Sequence, residues 1–94
     1  MAYARVVSFD GVDKSRMDEL AQGIREGERP EGIPATEILL LHNTDDGKAL
    51  AIVFFETEDD YRQGDATLNA MDAGDTPGRR TSVERYEVAV RRSD

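Results

Sequence analysis

Glu37-Ile-Leu-Leu-Leu-His-Asn-Thr-Asp-Asp-Gly-Lys-Ala-Leu-Ala-Ile-Val-Phe-Phe55 decides the fold of this 94-residue chain. Two apolar runs flank Asp45-Asp46-Gly47, the turn chemistry of a β-hairpin, with strands expected roughly over Thr36–Asn43 and Lys48–Glu56. One parity of the runs carries Ile38, Leu40, Leu50, Ile52 and Phe54. The other carries Leu39, Leu41, Ala49, Ala51, Val53 and Phe55. A sheet wetted on one face alternates apolar with polar residues, whereas here both parities are apolar and both faces call for cover.

Outward from the hairpin, Tyr3–Phe9 reads as a first strand, rich in β-branched and aromatic residues and ended by Asp10-Gly11. Ser15-Arg-Met-Asp18 matches a capping box. Met17, Leu20, Ala21 and Ile24 follow at i, i+3, i+4 and i+7, which places them on one helical face up to about Gly27. Pro30, Gly32 and Pro34 make Glu28–Ala35 a loop. After the hairpin, Thr57-Glu-Asp-Asp60 is a second capping-box match whose acids suit the positive end of a helix dipole. Tyr61, Leu68 and Met71 share a face of that helix, Gly64 fills the gap between turns, and Ala73-Gly74 with Pro77-Gly78 stops it. Thr81–Arg91 reads as a last strand in which Tyr86, Val88 and Val90 alternate with Arg85, Glu87 and Ala89.

The element order is β-α-β-β-α-β. A right-handed crossover leaves a gap between the first and second strands, which the third fills by hairpin pairing, and the second helix returns the fourth strand beside the first. The expectation is one α+β domain over residues 1–94, with a ferredoxin-like four-stranded antiparallel sheet ordered 4-1-3-2 and both helices on one face. The bare face is a contiguous apolar patch, and a two-fold dimer packed sheet on sheet is the simplest cover for it.

Composition narrows the function classes. Hydrophobic residues are 38% and charged residues 34% of the chain, and the net charge is −8, which argues against nucleic acid or an anionic membrane as a partner. The charge is uneven: Glu56–Asp75 has seven acids and one Arg, whereas Arg79–Asp94 has five Arg and three acids. A solvated acidic helix and a slightly basic last strand account for this, with an acidic docking face as the sharper reading. The absence of cysteine excludes disulfides, thiolate metal sites and Cys nucleophiles. No apolar run reaches transmembrane length and no signal-peptide pattern opens the chain, so a cytoplasmic location is expected.

The opening Tyr3-Ala-Arg-Val-Val-Ser-Phe9, the loop Gly32-Ile-Pro-Ala35, the stretch Leu39–Asp59 and the closing Ser82-Val-Glu-Arg-Tyr-Glu-Val-Ala-Val90 together resemble the dimeric α/β-barrel proteins of the antibiotic-biosynthesis-monooxygenase-like superfamily, in particular its small bacterial members. The resemblance spans nearly the whole chain. It implies a homodimer whose two sheets face each other and a cavity between each sheet and its own helices, where active members hold an aromatic or polyketide-like substrate or haem. The quinone-forming members oxidise phenols with molecular oxygen and need neither metal nor flavin, so no cofactor is implied. Several of these enzymes rely on a Trp with an Asn, a His or a Tyr. This chain has no Trp, which argues against monooxygenase activity, and no catalytic set is carried over.

Five residues could carry chemistry. His42 is the only histidine, near the end of a strand on the parity of Ile38 and Leu40; it reads as a general base or as a half-solvated strand-end residue. Arg5 lies mid-strand at a central position, where a buried guanidinium needs an anion. Glu84 and Glu87 on the fourth strand are the expected partners, and anchoring a phenolate or carboxylate substrate is the functional reading. Tyr86, Tyr61 and Tyr3 each have an apolar body with a polar tip, and Tyr61, Tyr86 and His42 are expected to meet around a sheet–helix cavity if they serve a substrate. Asp45-Asp46-Gly47 lacks the remaining ligands of a calcium loop, Glu58-Asp59-Asp60 are helix-start acids, and one histidine cannot form a two-histidine metal site, so no metal site is expected. Two function classes stand: a small-molecule-binding dimer that acts as a cofactor-independent monooxygenase on an aromatic or polyketide-like substrate, and a non-catalytic dimeric binding or structural module.

Overall fold

The computed structural model describes residues 2–26, 33–70 and 78–92. Its order is β1 (Tyr3–Asp10), α1 (Lys14–Arg25), β2 (Glu37–Asn43), β3 (Lys48–Phe55), α2 (Glu58–Asn69) and β4 (Arg79–Glu87). The four strands form one antiparallel sheet ordered β2-β3-β1-β4, the ferredoxin-like α+β arrangement.

The hairpin follows from its turn chemistry. Asn43 Oδ1 accepts from the backbone N–H groups of Asp45 (3.2 Å) and Asp46 (3.3 Å). Gly47 closes the turn at φ +66°, a conformation that favours glycine. Because four residues separate Asn43 from Lys48, paired residues have opposite parity: Ile38 faces Val53, Leu40 faces Ala51 and His42 faces Ala49. The grouping by equal parity is therefore corrected. Ile38, Leu40 and His42 share a face with Ala49, Ala51, Val53 and Phe55, and Leu39 and Leu41 share the other with Leu50, Ile52 and Phe54.

Both helices cover the first of these faces. Met17 of α1 packs with Val7, Phe9, Val12 and Ala49, and Tyr61 of α2 packs with Val53, Phe55 and Ala35. At Gly64 of α2 a Cβ would overlap the Phe55 ring, so the missing side chain is what lets this turn sit down on β3. Thr57 caps α2 as expected, its hydroxyl accepting from Asp60 N at 3.0 Å. The cap of α1 differs from expectation: Asp13, not Ser15, accepts from Arg16 N at 2.9 Å. An ionised carboxylate at a helix start adds charge to the same hydrogen bond. Residues 28–32 of the expected loop, Met71, and the stop signals Ala73-Gly74 and Pro77 lie outside the described residues.

Strand β4 is shorter at its end than the alternation of Tyr86, Val88 and Val90 suggests. Its partner β1 starts at Tyr3, which pairs with Glu87, and only the Val88 N–H bond to the Ala2 carbonyl (2.9 Å) extends the ladder. The following segment instead reaches across the sheet. The Arg91 guanidinium lies 4.7 Å from the Phe54 ring centroid and pairs with Glu37 at the far edge.

Candidate functional site

Cross-strand register orders the uncovered face into rows running from β2 to β4. Leu41, Leu50, Ser8 and Ser82 form one; Leu39, Ile52, Val6 and Glu84 the next; Glu37, Phe54, Ala4 and Tyr86 the last. The β2–β3 half is apolar and the β4 side is polar. Leu39 and Leu41 are 39% and 49% exposed, as expected for a face with nothing of this chain's helices on it.

At the hairpin end this face sinks into an open depression of about 610 Å³. Leu41 and Leu50 give it an apolar side, Ser8, Thr81 and Ser82 a hydroxyl-bearing side, and Asp10, Asn43 and Lys48 a charged and amide rim. A register shift between Ser8 and Phe9 bulges the β1–β4 ladder here, and Thr81 Oγ1 donates to the Ser8 carbonyl at 3.2 Å. The volume and the mix of apolar wall and few polar groups match small-molecule sites in general.

His42 borders this depression, but register turns its side chain to the helix-covered face. It is half-buried, with Nε2 3.3 Å from the Val12 carbonyl oxygen, which accepts when that nitrogen carries the proton. Val12 N in turn donates to the Gly47 carbonyl at 2.8 Å. His42 thus stitches the β1–α1 connection to the hairpin turn.

Arg5 sits elsewhere, under α2. It is 3% exposed, and its Nε donates to Asp65 Oδ1 at 2.8 Å while Nη2 donates to Asn69 Oδ1 at 3.0 Å. Asn69 Oδ1 also accepts from Arg80 Nη1 at 3.2 Å. The anion required by the buried guanidinium therefore comes from the helix, not from Glu84 or Glu87. Register explains the correction: Glu84 faces Val6 on the uncovered side, and Glu87 faces Tyr3 at the sheet's end.

Tyr61 joins this second cluster. Its ring meets Phe55 edge-on at 5.6 Å and Tyr3 at 6.3 Å, and the Arg85 guanidinium lies 4.9 Å from the Tyr3 ring and 5.7 Å from the Tyr61 ring. Burial, and then the charge of Asp65, raise the Tyr61 phenol above its ordinary value. Tyr86 lies on the uncovered face, where its hydroxyl donates to Glu84 Oε2 at 2.9 Å; that bond raises its pKa.

The structure thus brings Arg5 and Tyr61 into one neighbourhood but places His42 at the opposite end of the same layer and Tyr86 on the other face. Sequence reasoning missed Asp65, Asn69, Arg80 and Arg85. Asp65 and Asn69 were accessible in principle, since their i, i+4 spacing on α2 puts them on one side of the helix. Among the described residues, no three His, Asp or Glu side chains converge to hold a metal ion, and no helix is long and apolar enough to cross a membrane. No family model matches the chain, and neither a curated protein nor a solved structure matches it significantly.

Proposed function

We infer that the chain is the subunit of a homodimeric binding module of the dimeric α/β-barrel kind. Two copies pair through their uncovered sheet faces and enclose, at the hairpin end, a chamber for a small molecule with a flat apolar body and a hydrogen-bonding edge. The observation that carries this reading is the depression itself, which adjoins the exposed Leu39 and Leu41 on the one face no helix covers. Its Leu41–Leu50 side suits an aromatic body, and the Ser8 and Ser82 hydroxyls with the Asn43 amide suit its polar edge. The sheet–helix layer supports the same choice: Arg5 is engaged by Asp65 and Asn69, and Tyr61 is packed between Tyr3 and Phe55.

Light scattering of the purified chain, with and without Leu41→Glu, tests the pairing. A wild-type mass of two chains that falls to one in the variant supports it, and a monomer at every concentration overturns it. Anilinonaphthalene sulfonate serves as a flat apolar probe for the chamber. Its binding should be lost in Ser82→Trp while the dimer mass persists.

One observation favours an oxygenase reading as the alternative. His42 borders the same depression, and its Nδ1 has a lone pair when Nε2–H is engaged by Val12. In that reading it takes the proton of an electron-rich phenol, and molecular oxygen oxidises the resulting phenolate at a ring carbon, one oxygen atom entering the quinone product and the other leaving as water. Oxygen uptake with such a phenol that vanishes in His42→Ala favours the alternative; no uptake by the wild type removes it.

A further inference from the structure

The uncovered face is not bare along its whole length. Its last row, Glu37–Phe54–Ala4–Tyr86, is crossed by the chain's own segment after β4. Val88 is tied to β1 by its bond to the Ala2 carbonyl, so the segment leaves from the β4 side of the sheet. Three residues later the Arg91 guanidinium is stacked on Phe54 of β3 and paired with Glu37 of β2, at the opposite edge. Ala4, the small residue of that row, is only 6% exposed, although it lies on the face without helices. Val90, between these anchor points, is 85% exposed and so contributes nothing to holding the segment down.

We propose that Val88–Arg92 is a strap that competes in cis with a second copy for this end of the sheet. The proposal rests on the face-to-face dimer described above. Packed sheets stand about 10 Å apart, and a peptide segment lying on one of them takes up much of that gap. A second copy can close fully over Leu39, Leu41, Leu50 and Ile52 with the strap in place, but reaches Phe54 and Ala4 only when the strap lifts. The anchors suit a device that opens. The Glu37 and Arg91 side chains are 40% and 42% exposed. Exposed pairs of this kind are weak, and a cation over an aromatic ring at the surface adds little more. Val88 adds a single ladder hydrogen bond, to the Ala2 carbonyl.

Closure of the strap lowers the fraction of chains able to form the full interface, and because both copies must be open the apparent dissociation constant rises by the inverse square of that fraction. Sedimentation equilibrium on wild type, Arg91→Ala and Glu37→Gln tests this. Each variant should move the monomer–dimer midpoint to a concentration roughly tenfold lower if the strap is closed about two times in three. The double variant should add little to either, because both release the same segment. An unchanged or higher midpoint in both variants overturns the strap, and with a dimeric wild type it leaves the pairing reading standing. Monomers in all variants overturn both. A second measurement is independent of assembly. In Leu41→Glu, the Arg91 side-chain protons should show the upfield ring-current shift of a group stacked on Phe54, lost in Phe54→Leu; solution-like shifts from the start overturn the proposal.

Discussion

Arg5 of β1 and Arg85 of β4 are direct partners across the antiparallel ladder, two like charges side by side on the helix-covered face. Such pairs are unfavourable on a sheet. They coexist because different groups absorb each charge: Asp65 and Asn69 hold Arg5, whereas Arg85 spreads over the Tyr3 and Tyr61 rings.

Removing the acid from this arrangement should be costly. Asp65→Ala leaves Arg5 buried beside Arg85 and without its carboxylate. Because Asp65 is itself about a third exposed (33%), the loss should be nearer 2–3 kcal/mol, roughly the value of a hydrogen bond to a charged group plus part of the desolvation. The double variant Arg5→Met/Asp65→Leu should recover most of that loss, since no unpaired charge remains. Urea denaturation of the single and double variants reads both numbers, and a double variant no more stable than Asp65→Ala would contradict the argument.

Gly64→Ala should destabilise the chain, contrary to the usual gain of about 1 kcal/mol for Gly→Ala inside a helix. The added methyl meets the Phe55 ring, which is fully buried, and overpacking of this kind costs roughly 1–3 kcal/mol. In a Phe55→Leu background the same substitution should become neutral or favourable, which denaturant midpoints of the four chains would reveal.

The raised Tyr61 pKa predicts a loss of stability in alkali. A phenol whose folded pKa lies above its unfolded value of 10.0 supports the fold in full below that value. That support is lost as pH climbs from there through the folded pKa, because the unfolded chain ionises first. Stability measured from pH 8 upward should therefore decline beyond about pH 10 more steeply in wild type than in Tyr61→Phe. Arg85→Ala should push the Tyr61 titration higher still, since Arg85 is one of the two charges opposing the shift. In the phenolate absorbance titration, Glu84→Gln should bring one further tyrosine, Tyr86, back down.

His42→Ala should cost about 1 kcal/mol, the ordinary value of one hydrogen bond, by freeing the Val12 carbonyl. The signature of a stitch between connection and turn would be faster amide exchange at Val12, whose N–H is bonded to the Gly47 carbonyl. Unaltered exchange there would mean that Val12 and Gly47 hold each other without His42.

Element order, strand order and the hairpin's limits were legible because each is set locally. Asp45-Asp46-Gly47 and Thr57-Glu-Asp-Asp60 announce a turn and a helix start by their own hydrogen-bonding chemistry. The α1 cap was misplaced because Asp13 and Ser15 compete as acceptors within two residues, and which one faces the free amides depends on how Gly11 and Val12 turn the chain. Face assignment failed at one count, the four-residue turn, which reverses parity across the hairpin. The partner of Arg5 and the seat of Arg91 were not legible at all: each joins residues at least 54 apart in sequence, Arg5 with Asp65 and Glu37 with Arg91, through geometry that exists only after the sheet has formed.

Strand β4 ends the sheet on one side, with most of its side chains exposed and Arg79, Arg80 and Arg85 among them. An edge of unpaired amides and carbonyls is a template that another strand can extend, and each addition offers a fresh edge, so growth by that route has no natural stop. β4 carries Arg79, Arg80 and Arg85 with Glu84 and Glu87, so a second β4 laid alongside in parallel register opposes like charges at each of these positions. The proposed face-to-face pairing has no such open end, since two-fold contact through the flat of the sheet uses up the surface it needs and growth by that route halts at a pair.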